Sequence, residues 1–353
     1  MKIMYFTKYS RKGASSRLRS YQYFPYFEKN GIEIEVYPLF DSGYLENLYQ
    51  GKKVKKDILK AYLKRFVKLL SIKKNSKLVI EYELFPYLPA WFEHVLKLRG
   101  INYAVDYDDA VFHNYDLNNN RLIKWCLHDK IDKVMRYSSV VVAGNHYLEE
   151  KAKSSGAGEV HQIPTVVDTD RYPVKSEYNM DAGSKFIVGW IGTFSTFKYI
   201  KQILPVLEEV ASEYPLVLHI VGAKGELGTS VETHFIPWTE DTEARSIRNF
   251  DVGIMPLDDT PWERGKCGYK LIQYMASGIP VIASGLGVNN EIVKQGINGF
   301  VANTLTEWRD VLLYFIHNRN RIPEMGKEGR KTVEKKYSLQ ITNTDWLKIM
   351  RNI

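Results

Sequence analysis

Apolar residues fall along this chain in two rhythms, short runs of strand length and longer stretches with helical spacing. Residues 2–7 read as a first strand, and a loop carrying Gly13, Ser15, Ser16, Arg17 and Arg19 leads into a helix through Phe27. Residues 31–38 alternate at Ile32, Ile34 and Val36, the period of a half-buried strand. Further strands are predicted at 78–82, 101–107 and 139–143, with a helix at 91–99 and another starting at Asn145. A strand, loop, helix and strand in that order open a Rossmann-like α/β domain.

The second half restarts the same grammar after a linker at 168–184, rich in Pro, Asp, Ser and Asn with no apolar period. Strands are predicted at 186–191, 216–221, 234–237 and 250–256, with a loop at 192–198 and a helix from there to Ser212. Helices are expected at 306–318, 321–337 and 340–353. The stretch 262–300 organises this half. Gly265 and Gly268 flank Lys266 and Cys267, and Tyr269, Ile272 and Met275 then recur at helical spacing before a short buried strand at 280–283. A glycine turn that opens a helix gathers unpaired amides at the positive end of the helix dipole, a ready anion site. Lys266 and Lys270, read as one turn apart, would add cations to it. The predicted ligand there is a phosphate.

Composition narrows the class. A chain of 353 residues can hold two domains with proper cores, and it has no apolar run long enough to cross a bilayer. The first residues lack the apolar core of a signal peptide, and two cysteines far apart suggest reduced thiols, so a cytoplasmic setting is expected. The net charge of +8 favours anionic partners. Much of it sits at 52–74, where lysines surround Ile58, Leu59, Tyr62, Leu63, Phe66 and Leu70, and Asp57 is the lone acid. Such a helix either lies on an anionic membrane surface or packs as a core helix with a solvated basic face. Nucleic acid is suggested by charge alone, and no nucleic-acid partner is expected.

In the first half, Asp106, Asp108, Asp109 and His113 follow a predicted strand, where open α/β sheets bind ligands. Asp106 and Asp108 also spell a D-x-D pair, but scattered carboxylates with one histidine are weak metal ligands and no metal is expected. Asp108, Asp109 and His113 are read as acceptor-hydroxyl contacts or an acid/base group, against the alternative of helix-capping carboxylates.

The run YMASGIPVIAS, residues 274–284, closely resembles the donor-binding segment of family-4-type retaining glycosyltransferases with the GT-B fold (glycosyl transferases group 1). The resemblance covers nearly the whole chain. It implies two Rossmann-like α/β/α domains facing across a cleft: an acceptor-binding domain at 1–170, to which the C-terminal helix 340–353 returns, and a nucleotide-sugar-binding domain at 184–339. It implies transfer of a hexosyl group, with retention, from a UDP- or GDP-linked donor to an acceptor hydroxyl on a glycan or lipid-linked acceptor. The setting implied is cell-surface polysaccharide or glycolipid assembly, in the cytoplasm or peripheral on the inner membrane face, with no cofactor. Donor contacts would come from Gly192, Thr193, Lys198, Gly222, Trp238, Glu263, Gly265, Lys266, Cys267, Gly268, Tyr269, Lys270 and Gln273. Acceptor contacts would come from Gly13, Ser15, Ser16, Arg17, Arg19, Asp108 and His113, and Lys198 and Lys266 would meet charge on the leaving diphosphate.

Three positions depart from the family pattern: Gly265 and Gln273 stand where it has acids, and Thr193 where it has an arginine. The alternative of a nucleotide-sugar binder without turnover follows from them. A nicotinamide oxidoreductase is disfavoured, because the first loop lacks G-x-G-x-x-G.

Overall fold

The computed structural model describes residues 1–181 and 183–353, with the backbone alone at Tyr49. The chain forms two compact units. The first is Met1–Thr165 with Gly265–Cys267 and Thr342–Ile353, and the second is Val166–Arg264 with Gly268–Ile341.

The first unit is built on six parallel strands, β1 (Lys2–Phe6), β2 (Glu33–Val36), β3 (Lys77–Glu81), β4 (Tyr103–Tyr107), β5 (Val140–Ala143) and β6 (Val160–Gln162). Their order is β2-β1-β3-β4-β5-β6. The chain leaves β1 towards one edge and returns to the other side of it at β3, so the topological switch lies between β1 and β3. The central strands β3, β4 and β5 are buried along their length apart from Lys77, as continuous apolar runs in a covered parallel sheet should be. The end of the last helix, Leu339–Asn352, belongs to this unit: Thr342 hydrogen-bonds Tyr23 at 2.9 Å and Trp346 packs on the same ring.

Two segments differ from their sequence reading. The first helix is broken into Ala14–Ser16, a π-helical turn Arg17–Tyr21 and Phe24–Lys29. Arg19 and Ser20, both within the widened turn, are buried. The basic helix spans Lys55–Leu70 and turns Ile58, Tyr62, Arg65 and Leu69 towards the sheet. Buried Arg65 donates to the carbonyls of Thr7 (2.6 Å), Tyr37 (2.7 Å) and Leu84 (3.1 Å), tying the helix to the ends of three strands.

The second unit repeats the architecture with β7 (Phe186–Ile191), β8 (Leu216–Val221), β9 (Glu232–Ile236), β10 (Val252–Met255), β11 (Val281–Ala283) and β12 (Gly299–Val301), in the order β12-β11-β10-β7-β8-β9. All six are parallel, and the switch lies between β7 and β10. The stretch expected as a linker is in part pinned to this unit. Val167, just before it, pairs with the backbone of Tyr337 and Leu339, and within it Lys175 N–H donates to Ser277 O at 2.9 Å. Its residue Ala182 lies outside the described residues. The predicted loop after β7 is a 3₁₀ run, Phe194–Gln202, followed by the helix Leu204–Glu213.

Candidate functional site

In the first unit, the C-terminal ends of β3 and β4 carry a buried acidic cluster. Asp106 binds Arg19 in a bidentate pair, Nε to Oδ2 at 2.9 Å and Nη2 to Oδ1 at 2.5 Å, and Arg19 Nη1 also donates to Ile163 O. Arg19 is therefore a buried structural pair and not an exposed acceptor contact. Asp106, likewise committed, cannot make a D-x-D metal pair with Asp108. Among the described residues no group of three His, Cys, Asp or Glu is placed to hold a metal ion.

Ser16 is also occupied, donating to Glu81 Oε2 at 2.5 Å while Ser20 donates to Oε1 at 2.5 Å. Lys8 N–H adds a third bond to the same carboxylate at 2.9 Å. Burial nevertheless pushes Glu81 up to about 7, the desolvation outweighing three donors. Gly13 and Arg17 are buried and Ser15 is half-buried beside this network.

Asp108 is the more telling acid. Burial, and then the neighbouring carboxylate of Asp109, push it up to about 7. The Tyr82 hydroxyl donates to Asp108 Oδ1 from a backbone at φ +60°, a left-handed conformation that costs a non-glycine residue about 1 kcal/mol or more. Asp109 meets Lys266 Nζ at 3.3 Å. His113 is engaged at both ring nitrogens, with Asp116 Oδ1 at 2.8 Å and the Tyr147 hydroxyl at 2.9 Å.

The segment Gly265–Cys267 is locked into the same unit. Asn145, at the end of β5, caps its own helix through Oδ1 to Leu148 N–H and uses Nδ2 to hold the carbonyls of Gly265 (2.8 Å) and Lys266 (3.1 Å). The Cys267 thiol donates to Asp108 O at 3.1 Å, and burial pushes that thiol well above its ordinary value. A Cβ on Gly144 would come within 2.4 Å of Cys267 Sγ, and one on Gly265 within 2.4 Å of Ala110 Cβ. Any side chain at 265 would therefore press on Ala110.

One expectation changes here. Gly268, at φ +65°, starts the helix Tyr269–Ala276, so Lys266 lies before it and does not share a turn with Lys270. The Gly265 and Lys266 carbonyls face Asn145.

The second unit's candidate residues follow the C-terminal ends of its strands. Gly192, directly after β7, donates its N–H to Val221 O, and Gly222, directly after β8, donates to Ile236 O. Thr193 is exposed and shares a 2.9 Å hydrogen bond with Ser195, and Lys198 is exposed with its ammonium 4.8 Å from the Tyr199 ring. Lys270, in the first turn of the helix Tyr269–Ala276, has its ammonium 5.6 Å from the Trp190 ring. No side chain caps that helix at Gly268.

The buried acids and amide of this unit are already engaged. Glu263 is buried and accepts from the hydroxyls of Tyr199 and Thr260, so it is not open to a sugar. Gln273 is buried and donates to the Tyr172 hydroxyl at 3.0 Å. Tyr172 in turn donates to Glu243, whose other oxygen accepts from Trp238 Nε1 at 2.6 Å. Sequence reasoning singled out Trp238 and Gln273 but missed Tyr172, Tyr199 and Glu243, which carry no motif and meet the others only in the folded unit. Asn145 was legible as a helix cap, but its grip on residues 265–267 was not.

Residues 185–318 match the model of the family described as Glycosyl transferases group 1. No curated protein matches the sequence. Among solved structures, sucrose-phosphate synthase from Thermosynechococcus elongatus aligns over 100% of this chain and 98% of its own, with TM-score 0.74 and 13% identity. HepE of Anabaena in complex with UDP-glucose aligns over 100% of both chains, with TM-score 0.71 and 13% identity. A glycosyltransferase from Rickettsia africae aligns over 99% of this chain and 98% of its own, with TM-score 0.71 and 14% identity. The chain therefore has the GT-B fold, and residues 185–318 of its second unit are similar to the glycosyl transferases group 1 family.

Proposed function

We propose that the protein is a retaining glycosyltransferase that moves a hexosyl group from a nucleotide-diphosphate sugar to an acceptor hydroxyl. The observation that carries the reading is the start of the helix Tyr269–Ala276. A left-handed glycine opens it without a side-chain cap, Lys270 stands in its first turn, and Lys198 follows β7 at the switch point of the same sheet. Backbone amides, a helix dipole and two ammonium groups suit a diphosphate whose charge grows as the sugar leaves. The reading assigns no metal or other cofactor. HepE of Anabaena has been seen with UDP and with UDP-glucose, which supports UDP as the first nucleotide to try, with GDP second.

The acceptor is assigned to the first unit, with Asp108 and Asp109 as hydroxyl contacts. Near neutral pH Asp108 spends part of its time protonated, so it can donate as well as accept a hydrogen bond. Glycan or lipid-linked acceptors of cell-surface polymers, made in the cytoplasm, fit this reading.

Thermal-shift titration with UDP-, GDP- and ADP-sugars, followed by a transfer and hydrolysis assay with each binder, tests it. A true donor must raise the melting temperature by mass action and be consumed. Binding without any turnover would favour a non-catalytic nucleotide-sugar protein. No binding by any donor would remove the reading.

A further inference from the structure

The helix Lys55–Leu70 is apolar on two sides. Its packed side is held by the buried guanidinium of Arg65, while Leu59, Leu63, Phe66, Val67 and Leu70 form a stripe at helical spacing that faces solvent. The neighbouring helix Trp91–Leu98 does the same with Trp91, Val95 and Leu98. The two helices meet where the Phe66 and Phe92 rings stand 5.9 Å apart, edge to face, so the stripes adjoin. The eight side chains are between 40% and 73% exposed, a larger apolar display than scattered surface leucines provide.

The surroundings of this face are basic. Lys52, Lys53, Lys55, Lys56, Lys60, Lys64, Lys73 and Lys74 are all exposed along the first helix and its ends. Asp57 is half-buried, and Glu93, the lone acid of the second helix, is buried and accepts from Leu84 N–H at 2.8 Å. Neither helix thus shows a fully exposed carboxylate. A second copy of this chain seated on the face would oppose lysine to lysine. A tryptophan at the edge of an apolar stripe rimmed by lysines matches the layered chemistry of a lipid headgroup region.

We infer that this face of the first unit docks on an anionic lipid bilayer, with the two apolar stripes entering the headgroup and acyl boundary and the lysines held by the surface charge. The inference rests on the surface alone and is independent of the donor chemistry. Among the described residues no helix is long and apolar enough to cross a membrane, so the contact is with one leaflet.

The test is flotation of the full chain with vesicles of phosphatidylcholine and of phosphatidylcholine mixed with phosphatidylglycerol. The expected result is binding to the mixed vesicles only, weakened by salt. Two variants, Leu63→Ser with Val67→Ser, and Lys56→Glu, Lys60→Glu and Lys64→Glu together, should each lower vesicle affinity by at least about tenfold. Both should keep the parent melting temperature, since none of these side chains is packed. Absence of binding to anionic vesicles at low salt would overturn the inference. So would equal binding to neutral vesicles, or a concentration-dependent dimer dissolved by the serine variant.

Discussion

Gly265 lies against Ala110 so closely that a methyl group on Gly265 would come within 2.4 Å of the Ala110 Cβ and 3.1 Å of its amide nitrogen. Gly265→Ala is expected to cost about 1–3 kcal/mol through overpacking, read as a lower melting temperature. Gly265→Glu, which restores the acid of the family pattern, should cost more and gain no transfer activity. Pairing Gly265→Ala with Ala110→Gly should recover part of the loss. Full stability in Gly265→Glu would contradict the close approach.

Lys198 and Lys270 are assigned to the diphosphate, and both can be removed without opening the core. Hydrogen bonds to charged groups contribute about 1.5–3 kcal/mol, or roughly ten- to hundredfold in affinity. Lys270→Ala, at a half-buried position, should fall at the upper end for UDP binding by calorimetry, and exposed Lys198→Ala at the lower. Unchanged affinity in both variants would place the nucleotide elsewhere.

Asp108 makes stability depend on pH in a defined sense. Its carboxyl is held up to about 7 when folded and has an ordinary value of 3.8, so the native chain binds the extra proton between those limits. Stability from this group is therefore present at low pH and lost as pH rises through that window. Asp108→Asn keeps an oxygen for the Tyr82 hydroxyl and removes the titration. Its melting temperature should fall less than the parent's between pH 5 and pH 8 (roughly the span of the linkage). Some slope should remain, because Glu81 titrates in the same range.

Gln273→Glu tests the other departure from the family pattern. Gln273 donates to Tyr172, and Tyr172 spends its single proton on Glu243. A carboxylate at 273 would face an oxygen with no proton to offer, next to a second buried acid, at a cost of about 3 kcal/mol. The loss should deepen as pH rises, since burial would raise the new group's pKa and its charged form is the one disfavoured. A melting temperature equal to the parent's at pH 8 would show that the network is dispensable.

How far the fold could be read from the sequence follows from the range of each interaction. The helix and strand across 274–284 were legible because helical spacing followed by an apolar run is a local signal, and the other β-strands except β6 and β12 were legible for the same reason. The Arg19–Asp106 pair was not, since its partners are 87 positions apart and each alone looks like a site residue. Nor did the sequence reading separate Lys266 from Lys270, because the left-handed turn at Gly268 is one backbone angle. The basic helix showed its composition but not its orientation. That depended on Arg65 finding three carbonyls, which no periodicity encodes.

Arg65 grips main-chain oxygens, and every amino acid at positions 7, 37 and 84 presents the same oxygen. This part of the helix's attachment is thus indifferent to the identity of its neighbours' side chains. Leucines, valines and lysines on the opposite side can be exchanged over generations without loosening the joint. The outer surface is free to drift in hydrophobicity and charge while the sheet beneath it stays as it is.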